Sequence, residues 1–230
     1  MRHAIIGLLS RRLELAHYTL NDDLATKNIV DISANGYDLT RAVENTEDRS
    51  VAGKINLAQE FTSANEYACR PALPNGDAGA VMAWCNFTPG VAGGALVSQR
   101  LAGAANIDFI ITASDTLGNI RFQGTFDSTV KEIVTSTPPS GTFHVAVVWA
   151  AGNCIMYINN AFAGFFSYTD YTPAEAVGTS FCIGGRNDVS GRHLNGWLDD
   201  VRVYNTPLQA SAVTKIYNGG SGTELPLSQL

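Results

Sequence analysis

Charged side chains are scarce in this sequence. Asp, Glu, Lys and Arg make up 16% of its 230 residues, against the roughly 25% usual in soluble domains. The balance is acidic, 21 residues against 15 basic ones, for a formal net charge of -6. Phosphate backbones repel such a surface, so nucleic acid is not an expected partner. Long apolar runs are missing too, and none approaches the ~18 residues a membrane-spanning helix needs, so no membrane insertion is expected. At the N-terminus Met1-Arg2-His3 and the stretch from Ala4 to Leu9 imitate a signal peptide. The apolar part is too short, and Ser10-Arg11-Arg12 offers no small-residue cleavage site. Residues 1–12 are therefore read as an arm or first strand that stays on the chain. Cysteine is sparse: Cys69, Cys85, Cys154 and Cys182 form no C-x-x-C and no Cys/His pairing of the kind zinc requires. Buried free thiols on strands are preferred to two disulfides.

What is abundant is apolar surface, 45% of residues, which excludes a disordered chain. Turn-forming pairs such as Asn35-Gly36, Gly118-Asn119, Gly152-Asn153, Asn159-Asn160 and Asn195-Gly196 punctuate short segments rich in Val, Ile, Phe, Tyr and Trp. That spacing predicts an all-β sandwich or jelly roll in one domain. His144–Ala150 and Cys154–Ile158 read as a hairpin. Val147 and Trp149 fall on one face, His144, Ala146 and Val148 on the other, and with both faces apolar the hairpin belongs centrally. One helix is predicted near the C-terminus. Thr206-Pro207-Leu208-Gln209 has the form of a capping box with proline at the first helical position. Leu208, Ala212, Val213, Ile216 and Tyr217 then repeat at helical spacing, and Asn218-Gly219-Gly220 supplies a left-handed stop. The tail to Leu230 reads as a loose terminus or an attachment to a partner.

The run Gly196-Trp197-Leu198-Asp199-Asp200-Val201-Arg202-Val203-Tyr204-Asn205, followed by Pro207-Leu208, resembles the closing signature of laminin-G-like, concanavalin A-like jelly rolls, approximately G-x-I-D-E-V-R-I-Y-N-x-x-L. Three earlier segments resemble the same family in order. They are Ala16–Leu20 with Asp31–Gly36, Val81–Pro89 with its Ala83-Trp84, and Phe143–Asn160. Two departures occur: Asn159-Asn160 replaces the usual Asp-Gly turn, and Ala34-Asn35 interrupts the opening Ser-Gly. The resemblance implies a jelly-roll β-sandwich of two antiparallel sheets with one short C-terminal helix. The expected organisation is an arm at 1–12, the jelly-roll domain at 13–220 and a tail at 221–230. Family members bind glycans or proteins, build virion and adhesin surfaces, and sometimes cleave glycosides, so fold alone does not set function.

Candidate sites follow from residue chemistry. By strand alternation Trp197, Asp199, Val201 and Val203 share one face and Leu198, Asp200, Arg202 and Tyr204 the other. A carboxylate in that apolar row needs a partner. Asp199 is expected to accept backbone N–H groups, with a calcium site shared with Asp31 as the alternative. Asp31-x-Ser33-x-Asn35-Gly36 begins like a calcium loop, but Ala42 stands where the bidentate Glu belongs, which favours a hydrogen-bonded turn. Trp84, Trp149 and Trp197 are assigned to the core. Ligand-binding candidates therefore come from loops: Tyr168, Asp170 and Tyr171 in one, Arg186, Asn187, Asp188, Arg192 and His193 in another. Enzyme activity is not expected. The E-x-D-x-x-E of related glucanases is missing, adjacent Asp199 and Asp200 face opposite ways, and glycosidases need two acids flanking the bond. No nucleophile elbow, phosphate loop or H-E-x-x-H occurs. The expected role is a non-catalytic recognition or structural module, part of a larger assembly such as a phage virion (capsid decoration or tail protein). Its expected partners are protein subunits, a second copy of the chain or surface glycans. A soluble or secreted carbohydrate-binding module is the alternative, and the expected location is a virion surface or the extracellular space.

Overall fold

The computed structural model describes residues 14–21, 28–41, 49–62, 66–74, 76–89, 94–101, 107–113, 117–172, 179–187 and 192–230; the proposed arm at 1–12 lies outside them. The strands in chain order are β1 (Glu14–Tyr18), β2 (Asn28–Ile29), β3 (Leu39–Arg41), β4 (Ser50–Ala52), β5 (Leu57–Phe61), β6 (Ala68–Pro71), β7 (Gly79–Phe87) and β8 (Ala95–Leu101). There follow β9 (Ile107–Ala113), β10 (Ile120–Phe126), β11 (Thr129–Val134), β12 (Phe143–Ala150), β13 (Asn153–Ile158), β14 (Ala161–Ser167), β15 (Thr179–Ile183) and β16 (Gly196–Tyr204). Among the described residues they form two antiparallel sheets. One runs β14-β13-β12-β7-β16-β5-β4, with β1 beside the last half of β16; the other runs β11-β10-β9-β8-β15-β6-β3-β2. This is the jelly-roll sandwich that the sequence implied.

The core lies between the sheets. Val81, Val147 and Leu198 from one meet Val97, Ile111 and Phe122 from the other, all fully buried. The outer face of the first sheet is also dry at its centre. Ala80, Met82, Ala146, Val148 and Tyr204 form a second cluster with Leu208, Val213 and Ile216. Helix α1 (Ala210–Tyr217) carries the last two of these. That cover explains why β12 is apolar on both faces, and β12 is central, between β7 and β13, as its pattern predicts. The β12–β13 hairpin closes through Ala151-Gly152 and the β13–β14 hairpin through Asn159-Asn160, every one of these four at positive φ. Paired left-handed residues give a two-residue turn whose twist matches that of the strands.

Five expectations need correction. The capping box does not form: α1 starts at Ala210, and Gln209 is its N-cap with no side-chain bond. Leu208 is already buried against the sheet before the helix begins, and this keeps Thr206 and Pro207 outside it. The left-handed stop is present at Asn218 (φ 48). The tail is not loose. Arg202 donates Nη1 to the Leu225 carbonyl at 3.0 Å and Nη2 to that of Thr223, while Leu227 and Leu230 pack on the second cluster. The cysteines are neither all free nor all paired. Cys69 and Cys182 stand directly opposite on β6 and β15 and form a disulfide; Cys85 and Cys154 are free and buried. Finally, strict alternation fails on β16. Register slips between Asp199 and Arg202, where Asp200 takes φ 48, the mark of a bulge. Leu198, Val201 and Val203 therefore face the core, and Asp199 and Arg202 face outward under the tail and the 54–56 turn. Trp84 and Trp149 are buried as expected, but Trp197 is half-buried, opposite Glu60 and Asn86.

Candidate functional site

The proposed metal pair comes apart. Asp31 Oδ1 accepts the backbone N–H groups of His17 and Ser33, both at 2.9 Å. Its Oδ2 accepts Ser33 Oγ–H at 2.8 Å and Tyr37 N–H at 2.9 Å. Asn35 extends the turn by donating Nδ2 to the carbonyls of Glu14 and Leu15, 3.0 Å each. This is the side-chain-stabilised turn that the sequence favours, and it fastens β1. Asp199 lies elsewhere: Oδ2 accepts Ile55 N–H at 2.7 Å, and buried Oδ1 has no partner. Burial pushes the Asp199 carboxyl up to about 7. The two aspartates share no donor, and among the described residues no three His, Cys, Asp or Glu gather as a metal would require.

Two polar clusters flank Asp199 on the outer face. Register places His144 opposite Trp84 and Trp84 opposite Asp199. Tyr217 of α1 stacks on Trp84 at 5.5 Å, and Lys54 Nζ lies 5.2 Å from the Trp84 ring centre. His144 has no partner on either ring nitrogen, and burial pushes it down to about 4. It is a neutral packing group. Nearby, His17 Nε2 lies 2.6 Å from Asp200 Oδ1, and Arg202 lies 3.0 Å from that same oxygen. Tyr204 donates to Glu14 Oε1 at 2.8 Å. Burial opposes charge on His17, but its hydrogen bonds to Asp200 and Glu14 outweigh it and hold its pKa above the usual value. These groups are buried and bonded to each other, and they clamp β1, β16 and the tail together.

Of the loop candidates, Tyr168 and Tyr171 are not exposed platforms. They are 8% and 5% exposed and pack on Phe126 at 4.7 and 4.8 Å, closing one end of the sandwich. Between them Asp170 is exposed; its N–H, with the N–H and hydroxyl of Thr169, donates to Asp127 Oδ1. The Lys131 ammonium, together with those bonds, holds the Asp127 carboxyl well below the usual range. Burial of the two rings is what a loop rich in tyrosine gains when it ends a two-sheet core. In the second loop Asn187 is exposed and donates to Ser180 Oγ at 2.8 Å, whereas Arg186, Arg192 and His193 are half-buried. Asp188 lies outside the described residues.

A different place offers exposed aromatic faces. On β14, register slips between Met156 and Tyr157 of β13, so Phe162 opposes Tyr157 and Phe165 opposes Ile155, with Ala163 as the extra residue. Both phenylalanines therefore turn to the outer face. They are 64% and 60% exposed, their ring centres 6.2 Å apart and tilted by 44°. Phe166 turns inward onto Phe122 and Phe126. Gly164 lets β14 lie close against β11: a Cβ there would meet Ile133 Cγ2 at 2.5 Å. Next to Phe162 opens a cleft of about 430 Å³, bounded by Ser136, Thr137, Pro138, Ser140 and Asn159. Among the described residues no charged side chain lines it. Asn159 exchanges two hydrogen bonds with the His144 backbone through its own N–H and Oδ1, which leaves its Nδ2 outside that pair. Hydroxyl groups and an amide beside an apolar ring form a surface suited to a polyhydroxylated ligand with an apolar face. Sequence reasoning missed it because strict alternation puts Phe162 and Phe166 on one face. The readable sign was a strand with three phenylalanines directly after a tight Asn-Asn turn.

Two facing antiparallel sheets, with helix α1 sealing one outer face, define a concanavalin A-like jelly roll. The chain belongs to the concanavalin A-like lectin/glucanases superfamily, whose family profile it matches over residues 61–214. No curated protein matches it. Among solved structures it is similar to domain 4 of AbnA, an extracellular arabinanase from Geobacillus stearothermophilus, in complex with arabinotriose. Identity there is 22%, TM-score 0.65, over 88% of this chain and 97% of that one. It is also similar to the binding domain of Paraclostridial Mosquitocidal Protein 1, with 14% identity, TM-score 0.67, and 92% and 53% of the two chains covered. A third is the botulinum neurotoxin serotype D ligand binding domain in complex with N-acetylneuraminic acid, with 12% identity, TM-score 0.64, and coverage of 93% and 52%. The chain thus spans about half the length of the two toxin domains, and at these identities the likeness shows the fold.

Proposed function

We propose that this domain is a non-catalytic, lectin-like recognition module that holds glycans in the cleft beside Phe162. The observation that carries the reading is a highly exposed aromatic ring at the lip of a cleft lined by hydroxyl and amide groups. Sugars present C–H faces to rings and hydroxyls to such polar groups. The arabinotriose and N-acetylneuraminic acid complexes of similar folds support the class of ligand. Among the described residues the cleft has no carboxylate, and glycoside cleavage needs two. The Cys69–Cys182 disulfide supports an oxidising location, such as the extracellular space or a virion surface.

A glycan array probed with the oxidised protein and with Phe162→Ala tests this. The expected result is retention of a defined glycan set by the parent, weakened about tenfold or more in the variant. An array with no retained glycan, or retention indifferent to the substitution, overturns the proposal. Phe162 is solvent-exposed, so the variant is expected to fold normally. A second reading, an assembly subunit docking on partners, rests on the apolar exposure of Val130 and Val134 on the neighbouring edge strand β11. Light scattering that shows a strict monomer and no attachment to larger particles counts against it.

A further inference from the structure

We infer that the cleft takes a neutral oligosaccharide of two or more sugar rings, laid along β14 from Phe162 to Phe165. The inference rests on the glycan-binding reading above and specifies the chemistry of its ligand. Three observations carry it. First, the described residues of the lining offer no cation to pair with a carboxylate or sulfate. The cations on the adjoining strands are occupied: Lys131 lies 2.5 Å from Asp127 Oδ2 and donates to the Ser167 carbonyl at 2.8 Å, and Arg121 lies 3.7 Å from Glu132. The formal charge of -6 also disfavours anions generally. An acidic sugar would have to be desolvated without compensation.

Second, the two platforms are not alternatives for separate ligands. With centres 6.2 Å apart on one face they are too close for two independent sites, and the spacing suits neighbouring rings of one chain. Their 44° tilt requires successive sugar faces to turn relative to each other, as they do in a twisted oligosaccharide. Third, β14 ends its sheet among the described residues, so none of the described strands blocks a chain that continues past either ring. Phenylalanine contributes no hydroxyl, so the strand supplies stacking and the 135–140 segment with Asn159 supplies the polar contacts.

The test is calorimetric titration with neutral gluco-, galacto- and arabino-oligosaccharides of one to three sugars, and with uronic acid and sialylated chains of equal length. For the neutral series that binds, affinity is expected to rise about tenfold from one sugar to three, equivalent to about 1.4 kcal/mol. Phe165→Ala should remove that gain with length, whereas Phe162→Ala should weaken the single sugar and the trisaccharide alike. The inference is overturned by affinity independent of length, by a trisaccharide indifferent to Phe165→Ala, or by tighter binding of acidic chains. Each of those outcomes leaves Phe162-dependent glycan binding intact. Absence of any binding by the parent protein sinks both proposals.

Discussion

Asp199 and His17 bias stability with pH in the same direction, although one is an acid and the other a base. The Asp199 carboxyl rises from 3.8 to about 7 because burial penalises its charge. Between those values the folded state holds a proton that the unfolded chain releases, so stability declines as pH rises through this window. His17, held above 6.5 by Asp200 and Glu14, contributes fully below that value and loses its contribution as pH climbs through its folded pKa. His144 works oppositely: lowered to about 4, it favours the folded state above 6.5 and erodes it as pH falls toward 4. Urea unfolding is therefore expected to show greatest stability near pH 6 and a clear loss by pH 8.5. Asp199→Asn keeps an oxygen for Ile55 N–H and removes the charge. At about 1.4 kcal/mol per pKa unit it should restore roughly 2–4 kcal/mol at pH 8.5, less than half of that at pH 5, and little below pH 4. An unchanged pH profile in the variant would refute the assignment. The need of Asp199 for a backbone partner was legible in the sequence; the face it occupies was not, because one left-handed residue, Asp200, shifts the phase.

At the scale of elements the same lesson recurs in β14. The central hairpin, the closing β16 and the helical face could all be read, because burial on both sides or at helical spacing leaves a periodic trace. Bulges leave none: an inserted residue alters alternation only where the partner strand is known. The aromatic site was hidden for that reason, as was the outward turn of Asp199. The tail was misread because its anchors are its own carbonyls, which every sequence has. Arg202 binds those of Thr223 and Leu225, and its charge is held by Asp200 and Glu14. Deleting residues 223–230 leaves buried guanidinium donors unmet and uncovers the apolar patch beneath Leu227. A loss of about 2–4 kcal/mol in chemical denaturation is expected, the range of one or two charge-assisted hydrogen bonds. Arg202→Lys should reproduce part of it, since an ammonium cannot serve the same fork of acceptors.

For the whole molecule, the disulfide is the constraint that no local pattern announces. Cys69 and Cys182 are 113 residues apart, and only the antiparallel register of β6 and β15 sets them face to face inside the second sheet. A cross-link closing so long a loop removes entropy from the unfolded chain, typically about 2–5 kcal/mol. For a domain of this size each kcal/mol moves the melting point by about 2–4 °C. Reduction, or replacement of both cysteines by alanine, is thus expected to lower the melting point by roughly 5–15 °C while leaving the fold intact at 25 °C. Cys85 and Cys154 give an internal control. Both are buried, and burial pushes both thiols above their usual pKa, so neither should react in the native protein. Thiol titration should count none in the folded oxidised chain, two after unfolding without reductant, and four after unfolding with reduction. Four thiols before reduction would disprove the cross-link, and a melting point unmoved by its removal would show that the sandwich closes without it.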